Sequence, residues 1–171
     1  MRLHPRKIPL LAVGFIAFRE GYSETPTDLV DGYSTVGYGH LIAYRPVSAE
    51  DHRAKWVDGQ DNPGRLSRPE ALKLLRKDLR ATAQDVRRIV RVPTNRRQFS
   101  MLLSFAYNCG TGALSDSTLL KKLNAGNYAA VPDELMRWVN GPAGPLPGLV
   151  KRRRREGRLF RPLHQPSRRF K

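Results

Sequence analysis

Apolar residues near the start of the chain are spaced as in a short helix followed by a small sheet. Residues 7–20 are apolar on most sides and precede Gly21, which predicts a buried first helix that ends there. Residues 22–44 predict a loop and a small hairpin, because Gly32 can provide the turn and residues 35–42 alternate with period two as in a strand. Residues 45–66 are polar and rich in proline and glycine, which indicates a connecting segment with at most one short helix.

Beyond residue 66, apolar residues recur every three or four positions, which predicts a series of helices. The longest covers residues 68–91, opens with a capping box from Ser67 to Glu70 and stops before Pro93. Shorter helices are predicted over residues 95–109, 117–125, 130–140 and 147–160. One helix, a small sheet, a long helix and a helical bundle together predict an α+β fold in which helix dominates.

The length of the chain and the order of these elements fit one domain with two lobes. At 171 residues the chain can bury a sizeable core. We predict a single domain over residues 1–160, with a small lobe at about 18–66 and a helical lobe made of the first helix and about 92–160, joined by the long helix. Residues 161–171 hold two prolines and four basic residues without apolar periodicity, so we interpret them as a basic tail.

The charge of the chain points to acidic partners. Lysine and arginine outnumber aspartate and glutamate by 31 to 15, which gives a net charge of +16. A charge of this size predicts attraction to nucleic acid, anionic lipid or an acidic cell wall, without choosing among them. Cys109 is the only cysteine, which excludes an internal disulfide.

The apolar run at residues 8–18 imitates the core of a signal peptide. It is too short to span a membrane, and Arg19 and Glu20 follow it where a small-residue cleavage site would stand. We therefore interpret the run as part of the buried first helix.

Residues 18–41 combine the side chains that acid–base hydrolysis of a sugar polymer requires. Glu20 stands at the predicted end of the first helix, Asp28 and Asp31 lie in the loop that follows, and Thr35 begins the strand. Inverting glycosidases hold two carboxyl groups about 6.5–9.5 Å apart, so that a water fits between them. The threonine hydroxyl can hold that water, since it both donates and accepts. The alternative interpretation is a solvated glutamate at a helix end followed by ordinary turn residues.

This stretch and three later ones resemble the bacteriophage lysozymes, or endolysins, of glycoside hydrolase family 24. Glu20 and Gly21 are followed by TVGYGHL at residues 35–41, SFAYNCG at 104–110, STLLKKLNAG at 117–126 and LPGLVKRR at 146–153. The resemblance extends in order over nearly the whole chain from Ile8 to Phe160. Four ordered segments are far more specific than any single short motif.

The resemblance implies a lysozyme-like fold and a muramidase that cuts the β-1,4 bond between N-acetylmuramic acid and N-acetylglucosamine in peptidoglycan. It implies no metal and no cofactor, and we expect a monomer. Glu20 matches the family's catalytic acid, and Thr35 matches its active-site threonine. Positions that line the family's sugar cleft fall on Leu41, Tyr107 and Asn108.

The second carboxylate is where the sequence departs from the family pattern. The family's aspartate position falls on Leu29, which cannot act as a base. Asp28 is one residue away, and a local bulge would bring it into place, so we favour Asp28 over Asp31. Asp31 would then pair with Arg137, which resembles the family's cleft-closing arginine.

The densest positive charge lies at residues 151–155 and in the tail. It is either a solvated helix face or a surface that adheres to anionic wall polymers or to outer-membrane lipopolysaccharide. Without an export signal, the enzyme is expected in the host cytoplasm until the membrane is permeabilised, and in the cell wall or periplasm afterwards.

Two other functions stay open on the sequence. The displaced aspartate allows a relative that binds peptidoglycan without cutting it. The net charge allows a basic helical protein that binds nucleic acid, but the chain contains no recognisable reading module, so no specific nucleic-acid partner is expected.

Overall fold

The computed structural model describes residues 3–29, 32–142 and 144–162 of the chain. Helices account for most of these residues, and a small sheet follows the first helix, which confirms the predicted α+β class with helix dominant. Single 3₁₀ turns occur at Asp51–Arg53 and Tyr128–Ala130. The helices and strands are α1 Leu10–Glu20, β1 Ser23–Asp28, β2 Ser34–Gly37, β3 His40–Ala43, α2 Arg68–Ile89, α3 Arg96–Cys109, α4 Thr111–Asp116, α5 Thr118–Asn124, α6 Val131–Leu135, β4 Asn140–Gly141, β5 Gly144–Pro145 and α7 Pro147–Phe160.

The chain divides into two compact units. The sheet unit is Leu10–Ala83, and the helical unit comprises the described residues of Met1–Pro9 and Gln84–Lys171. The boundary falls within α2, which therefore contributes to both units. None of the described helices combines the length and the apolar character needed to cross a membrane.

The sheet unit contains a three-stranded antiparallel meander, β1-β2-β3. The single strand predicted over residues 35–42 is wrong, because the chain reverses at Tyr38 and Gly39 between β2 and β3. Gly37 and Gly39 have φ values of 69° and 77°, in the left-handed region that side chains disfavour. A tight turn between two short strands preserves the alternation of a single strand, so the sequence pattern could not reveal it. The hairpin predicted within residues 22–44 came without bounds for its first strand, which is β1, Ser23–Asp28.

The sheet packs closely on the start of α2. A Cβ added to Gly37 would lie 3.3 Å from the Cβ of Ala71 and 3.4 Å from a methyl carbon of Leu66, and both neighbours are completely buried. The Tyr22 hydroxyl donates to the Leu66 carbonyl, and the Arg68 guanidinium lies 4.4 Å above the Tyr22 ring. These contacts hold the glycine turn against the helix.

Gly64 lies in a backbone crossing that leaves no room for a side chain. A Cβ there would stand 1.9 Å from the His52 carbonyl oxygen, and φ is +74°. Gly59 has the same φ but no atom within 4 Å of its added Cβ. We expect Gly64→Ala to lower the free energy of unfolding by about 2 kcal/mol more than Gly59→Ala, because only Gly64 forces the backbone apart. Urea titration of both variants measures this difference, and equal losses would contradict it.

Asp51 organises the connecting segment through a buried carboxylate. It accepts from Arg45 Nη1 at 2.7 Å and from the Ser48 backbone N–H at 2.7 Å. The Arg45 hydrogen bond, followed by the one from Ser48, holds the pKa of Asp51 well below its ordinary value.

The depressed pKa predicts an acid-sensitive contribution of Asp51 to stability. Because the folded-state pKa lies below the unfolded one, the contribution is complete above the unfolded pKa of about 4 and is lost as the pH falls below it. We expect Asp51→Asn to lower Tm at pH 7. On acidification, Tm should fall less for this variant than for the wild type. Thermal melts across this range measure the effect. Asp58→Asn, an exposed change in the same segment, should retain the wild-type slope.

The helical unit is built around α3, which is buried along most of its length. Its start follows the sequence signal, since Asn95 Oδ1 accepts from the Gln98 N–H and the Gln98 side chain accepts from the Asn95 N–H. Helix α7 begins at Pro147 and ends at Phe160, as predicted, and contacts α3 and α6. The sequence missed α4, a short helix that directly follows Gly110 and contains Gly112, two glycines that are typical of a helix end.

Candidate active site

Glu20 is the last residue of α1, and its carboxyl group lies against the glycine turn of the sheet. A Cβ added to Gly39 would stand 3.5 Å from Glu20 Oε2 and 3.5 Å from Glu20 Cγ. Glu20 and Gly39 are both half-buried. The turn therefore brings bare backbone next to the carboxyl group.

Thr35 lies in the central strand, β2, with candidate residues on both sides. It pairs with Leu41 on β3 and with Thr27 on β1, and Thr27 is followed by Asp28. Leu41 is 41% exposed, so its side chain is available to a ligand. The sheet unit thus contains four of the six predicted site residues, two of them paired directly across strands.

Asp28 ends β1 with an exposed side chain that has one defined partner. Its Oδ1 accepts from the Val47 backbone N–H at 2.7 Å, which leaves its second oxygen for other contacts. The register of β1 against β2 shifts between Ser23 and Thr27, so the strand pairing is irregular before Asp28. Leu29 is 45% exposed, and its N–H donates to the Tyr33 carbonyl at 2.7 Å. Asp31 lies outside the described residues.

His40, the residue after the glycine turn, is hydrogen-bonded to Asp78 of α2, a contact that the sequence did not reveal. His40 Nδ1 lies 2.9 Å from Asp78 Oδ2, and both side chains are about one quarter exposed, at 27% and 22%. No local pattern predicts this contact, because Asp78 lies 38 residues further along the chain, in the middle of a helix.

Tyr107 and Asn108 lie in the helical unit, in the last turn of α3. Tyr107 is half-buried and Asn108 is exposed. Asn108 Oδ1 accepts from Arg153 Nη2 at 2.5 Å. Arg137 forms an ion pair with Glu134 at 3.5 Å, whereas its predicted partner, Asp31, is not among the described residues.

The interpretation of residues 151–155 as one solvated face is wrong for two of its arginines. Arg152 is 3% exposed and Arg153 is 0% exposed, and both pair with the fully buried Glu156. The reason is that Glu156 supplies a buried counter-charge one turn further along the same helix. The exposed members of the run are Lys151, Arg154 and Arg155.

The described residues hold no group of three or more His, Cys, Asp or Glu side chains that could ligate a metal ion.

Comparison with known proteins gives a consistent family. Residues 17–156 match the family model described as phage lysozyme. An endolysin of Bacillus phage B103 is 36% identical over 141 residues, 82% of this chain and 47% of the relative. A SAR-endolysin of Escherichia phage Mu is 44% identical over 89 residues, 52% of each chain. The chain thus spans about half the length of these curated relatives.

A solved structure extends the comparison to the fold. The crystal structure of a mutant P22 lysozyme matches with a TM-score of 0.74 and 29% identity. The match covers 91% of this chain and 99% of that one.

Proposed function

The chain belongs to the phage lysozyme family, and we propose that it is an endolysin that hydrolyses the β-1,4 bond between N-acetylmuramic acid and N-acetylglucosamine in peptidoglycan. The family and the lysozyme-like fold predicted from the sequence are confirmed. Family membership also disfavours the nucleic-acid-binding alternative. The observation that carries the proposal is Glu20 at the end of α1, with its carboxyl group against the Gly39 turn.

The proposed reaction is a single displacement at the anomeric carbon. Glu20 donates its proton to the glycosidic oxygen as the bond to the anomeric carbon breaks. Asp28 orients or activates a water that attacks the opposite face, and it accepts the proton which that water loses. Thr35 holds the same water through its hydroxyl group. Leu41, Tyr107 and Asn108 bind the sugar rings.

Asp28 is proposed as the second carboxylate on the basis of the irregular strand pairing that precedes it and its exposed position at the end of β1. Asp28→Asn tests this role sharply, because asparagine can keep the hydrogen bond from the Val47 N–H while losing the charge. We expect Asp28→Asn to lose most lytic activity and Asp31→Asn to keep it. The reverse order would assign the role to Asp31.

Two measurements test the proposed function. The purified chain should reduce the turbidity of a peptidoglycan suspension, and mass spectrometry should find muramic acid at the new reducing ends. A chain that sediments with peptidoglycan without clearing it would be a non-catalytic binder. An anhydro sugar in the products would indicate a transglycosylase and would overturn hydrolysis.

We further propose that exposed cations of the helical unit bind anionic wall polymers or lipopolysaccharide. Arg154 and Arg158 are exposed on α7. A separate surface pocket of the same unit is lined by Arg88, Arg91 and Lys121, without a carboxylate in its lining. Tail residues 163–171, which belong to the same prediction, lie outside the described residues.

Charge reversal separates a specific surface from the effect of net charge. We expect the double variant Arg154→Glu with Arg158→Glu to weaken binding to lipopolysaccharide or purified wall polymer more than Arg76→Glu with Arg80→Glu, an equal change on exposed α2 positions. Equal weakening would mean that only net charge matters. Sedimentation across a range of salt concentrations measures both.

We propose that the chain acts as a monomer and reaches the wall from the host cytoplasm once the membrane is permeabilised. Light scattering tests the first statement, and cell fractionation tests the second. If the chain appears in the periplasm before the host membrane is permeabilised, the proposed route is contradicted. That result would favour export of the chain, which the SAR-endolysin names of some relatives suggest.

A further inference from the structure

Arg153 is a completely buried guanidinium whose hydrogen bonds converge on the end of α3. Its Nη1 donates to Glu156 Oε2 at 2.6 Å, and its Nε donates to the Trp138 carbonyl at 3.1 Å. Its Nη2 donates to Asn108 Oδ1 at 2.5 Å and to Cys109 Sγ at 2.9 Å. The guanidinium is thus held from three directions, and one edge of it faces the exposed Asn108.

The Glu156 carboxylate, which accepts from Arg153 through Oε2, is itself fixed by hydrogen bonds to Oε1. Glu156 Oε1 accepts from the Ser104 hydroxyl at 2.6 Å and from Arg152 Nε at 3.2 Å. Glu156 and Ser104 are both 0% exposed, so water does not compete for these contacts. Arg153 therefore cannot turn away from Asn108 without breaking a buried ionic network.

A guanidinium only donates hydrogen bonds. The atom of the Asn108 amide that faces Arg153 must therefore be its oxygen, and the amide nitrogen is turned away from Arg153. Within the described part of the chain, that nitrogen has no hydrogen-bond partner. An asparagine without such a neighbour could rotate its amide by half a turn and offer either a donor or an acceptor. The Asn108 oxygen already accepts from Arg153 at 2.5 Å and from the Cys109 thiol at 3.8 Å, so the groups that Asn108 offers to a ligand are its N–H donors.

We propose that Arg153 is a positioning residue that makes Asn108 a reader of N-acetyl groups. This inference rests on the proposed function. The outward N–H groups of Asn108 match an acceptor on the substrate, and the carbonyl oxygen of an N-acetyl group is the strong acceptor that distinguishes these amino sugars. A sugar that has lost its acetyl group presents an ammonium instead, which only donates, and two donors cannot pair. Asn108 therefore favours N-acetylated glycan over de-N-acetylated glycan.

Asn108→Asp inverts this preference with the smallest change in shape. One carboxylate oxygen keeps the contact with Arg153, and the other replaces the outward N–H groups with an acceptor. We expect KM on fully acetylated peptidoglycan to rise roughly tenfold, the range of one lost hydrogen bond to an unpaired group, while kcat changes little. On chemically de-N-acetylated peptidoglycan KM should fall, so that the ratio of the two kcat/KM values shrinks. Asn108→Ala should raise KM on acetylated peptidoglycan only.

The controls separate a positioning role from a structural one. Asn140→Asp makes the same chemical change at another exposed asparagine of the helical unit and should leave the ratio unchanged. Arg153→Lys keeps a donor-only cation, so where this variant folds it should keep the preference. Thermal melts monitor folding throughout. A folded Asn108→Asp variant with the wild-type ratio would overturn the inference.

Failure of the proposed function gives a different result from failure of this inference. A wild-type chain that clears neither kind of peptidoglycan contradicts the proposed hydrolase. The inference is then tested alone by measuring how tightly the wild-type protein and the Asn108→Asp variant bind N-acetylglucosamine oligomers and glucosamine oligomers. Equal discrimination by both chains in that binding measurement would also overturn it.

Discussion

Glu20→Gln is expected to abolish peptidoglycan clearing, with a loss of roughly 10²–10⁴-fold in kcat. Glutamine fills the same space beside the Gly39 turn but has no proton to give the leaving oxygen. Because the side chain is half-buried at the end of α1, the change should leave Tm close to that of the wild type. Initial rates of turbidity loss at saturating substrate measure the effect.

A matched control for this prediction is Glu24→Gln. Glu24 lies in β1 of the same unit, where its exposed carboxylate pairs with Arg65 at 3.1 Å. Exposed pairs of this kind contribute little to stability. The Glu24 variant should therefore clear peptidoglycan at the wild-type rate. Near-wild-type clearing by a folded Glu20→Gln chain would defeat the role given to Glu20.

Glu156→Gln is expected to lower the free energy of unfolding by about 3–5 kcal/mol, the cost of removing one partner from a buried ionic network. Glutamine nearly preserves the shape but leaves the guanidinium groups of Arg152 and Arg153 without a buried counter-charge. Both arginines are at most 3% exposed, so water cannot replace the carboxylate. Denaturant titration followed by a spectroscopic probe of folding measures the loss.

Glu134→Gln serves as the control for the buried network. Glu134 is also buried, but its partners Lys122 and Arg137 have side chains that are 43% and 69% exposed. The hydrogen bond from Lys122 lowers the pKa of Glu134, so the pair is favourable at neutral pH. After substitution both cations can reach water, and the loss should be clearly smaller than for Glu156→Gln. If both variants lost the same free energy of unfolding, burial of the arginines would not be what determines the loss.

Residues close together in the sequence were sufficient to predict most helix ends. The capping box of α3 joins Asn95 and Gln98, three positions apart, and Pro147 begins α7. Gly21 follows the last residue of α1, with a φ of 76°. These features depend on backbone groups within one turn, and the residue types that satisfy them can be read from the sequence.

Features that depend on distant parts of the chain could not be predicted in the same way. The turn at Gly39 looked like the middle of a strand, because the alternation of side chains continues through it. The contact between His40 and Asp78 joins residues 38 positions apart. No local pattern marks Asp78 as the partner, since an aspartate on a long helix is ordinarily solvated.

The sequence by itself determined the family and the α+β class, because ordered motifs and short-range signals carry that information. Only the tertiary structure decided which arginines of the basic run enter the core. Arg152 and Arg153 are buried because Glu156 and Ser104, 52 positions apart in the chain, meet beside them. A charge can leave water only where such partners converge, and convergence is a property of the folded chain.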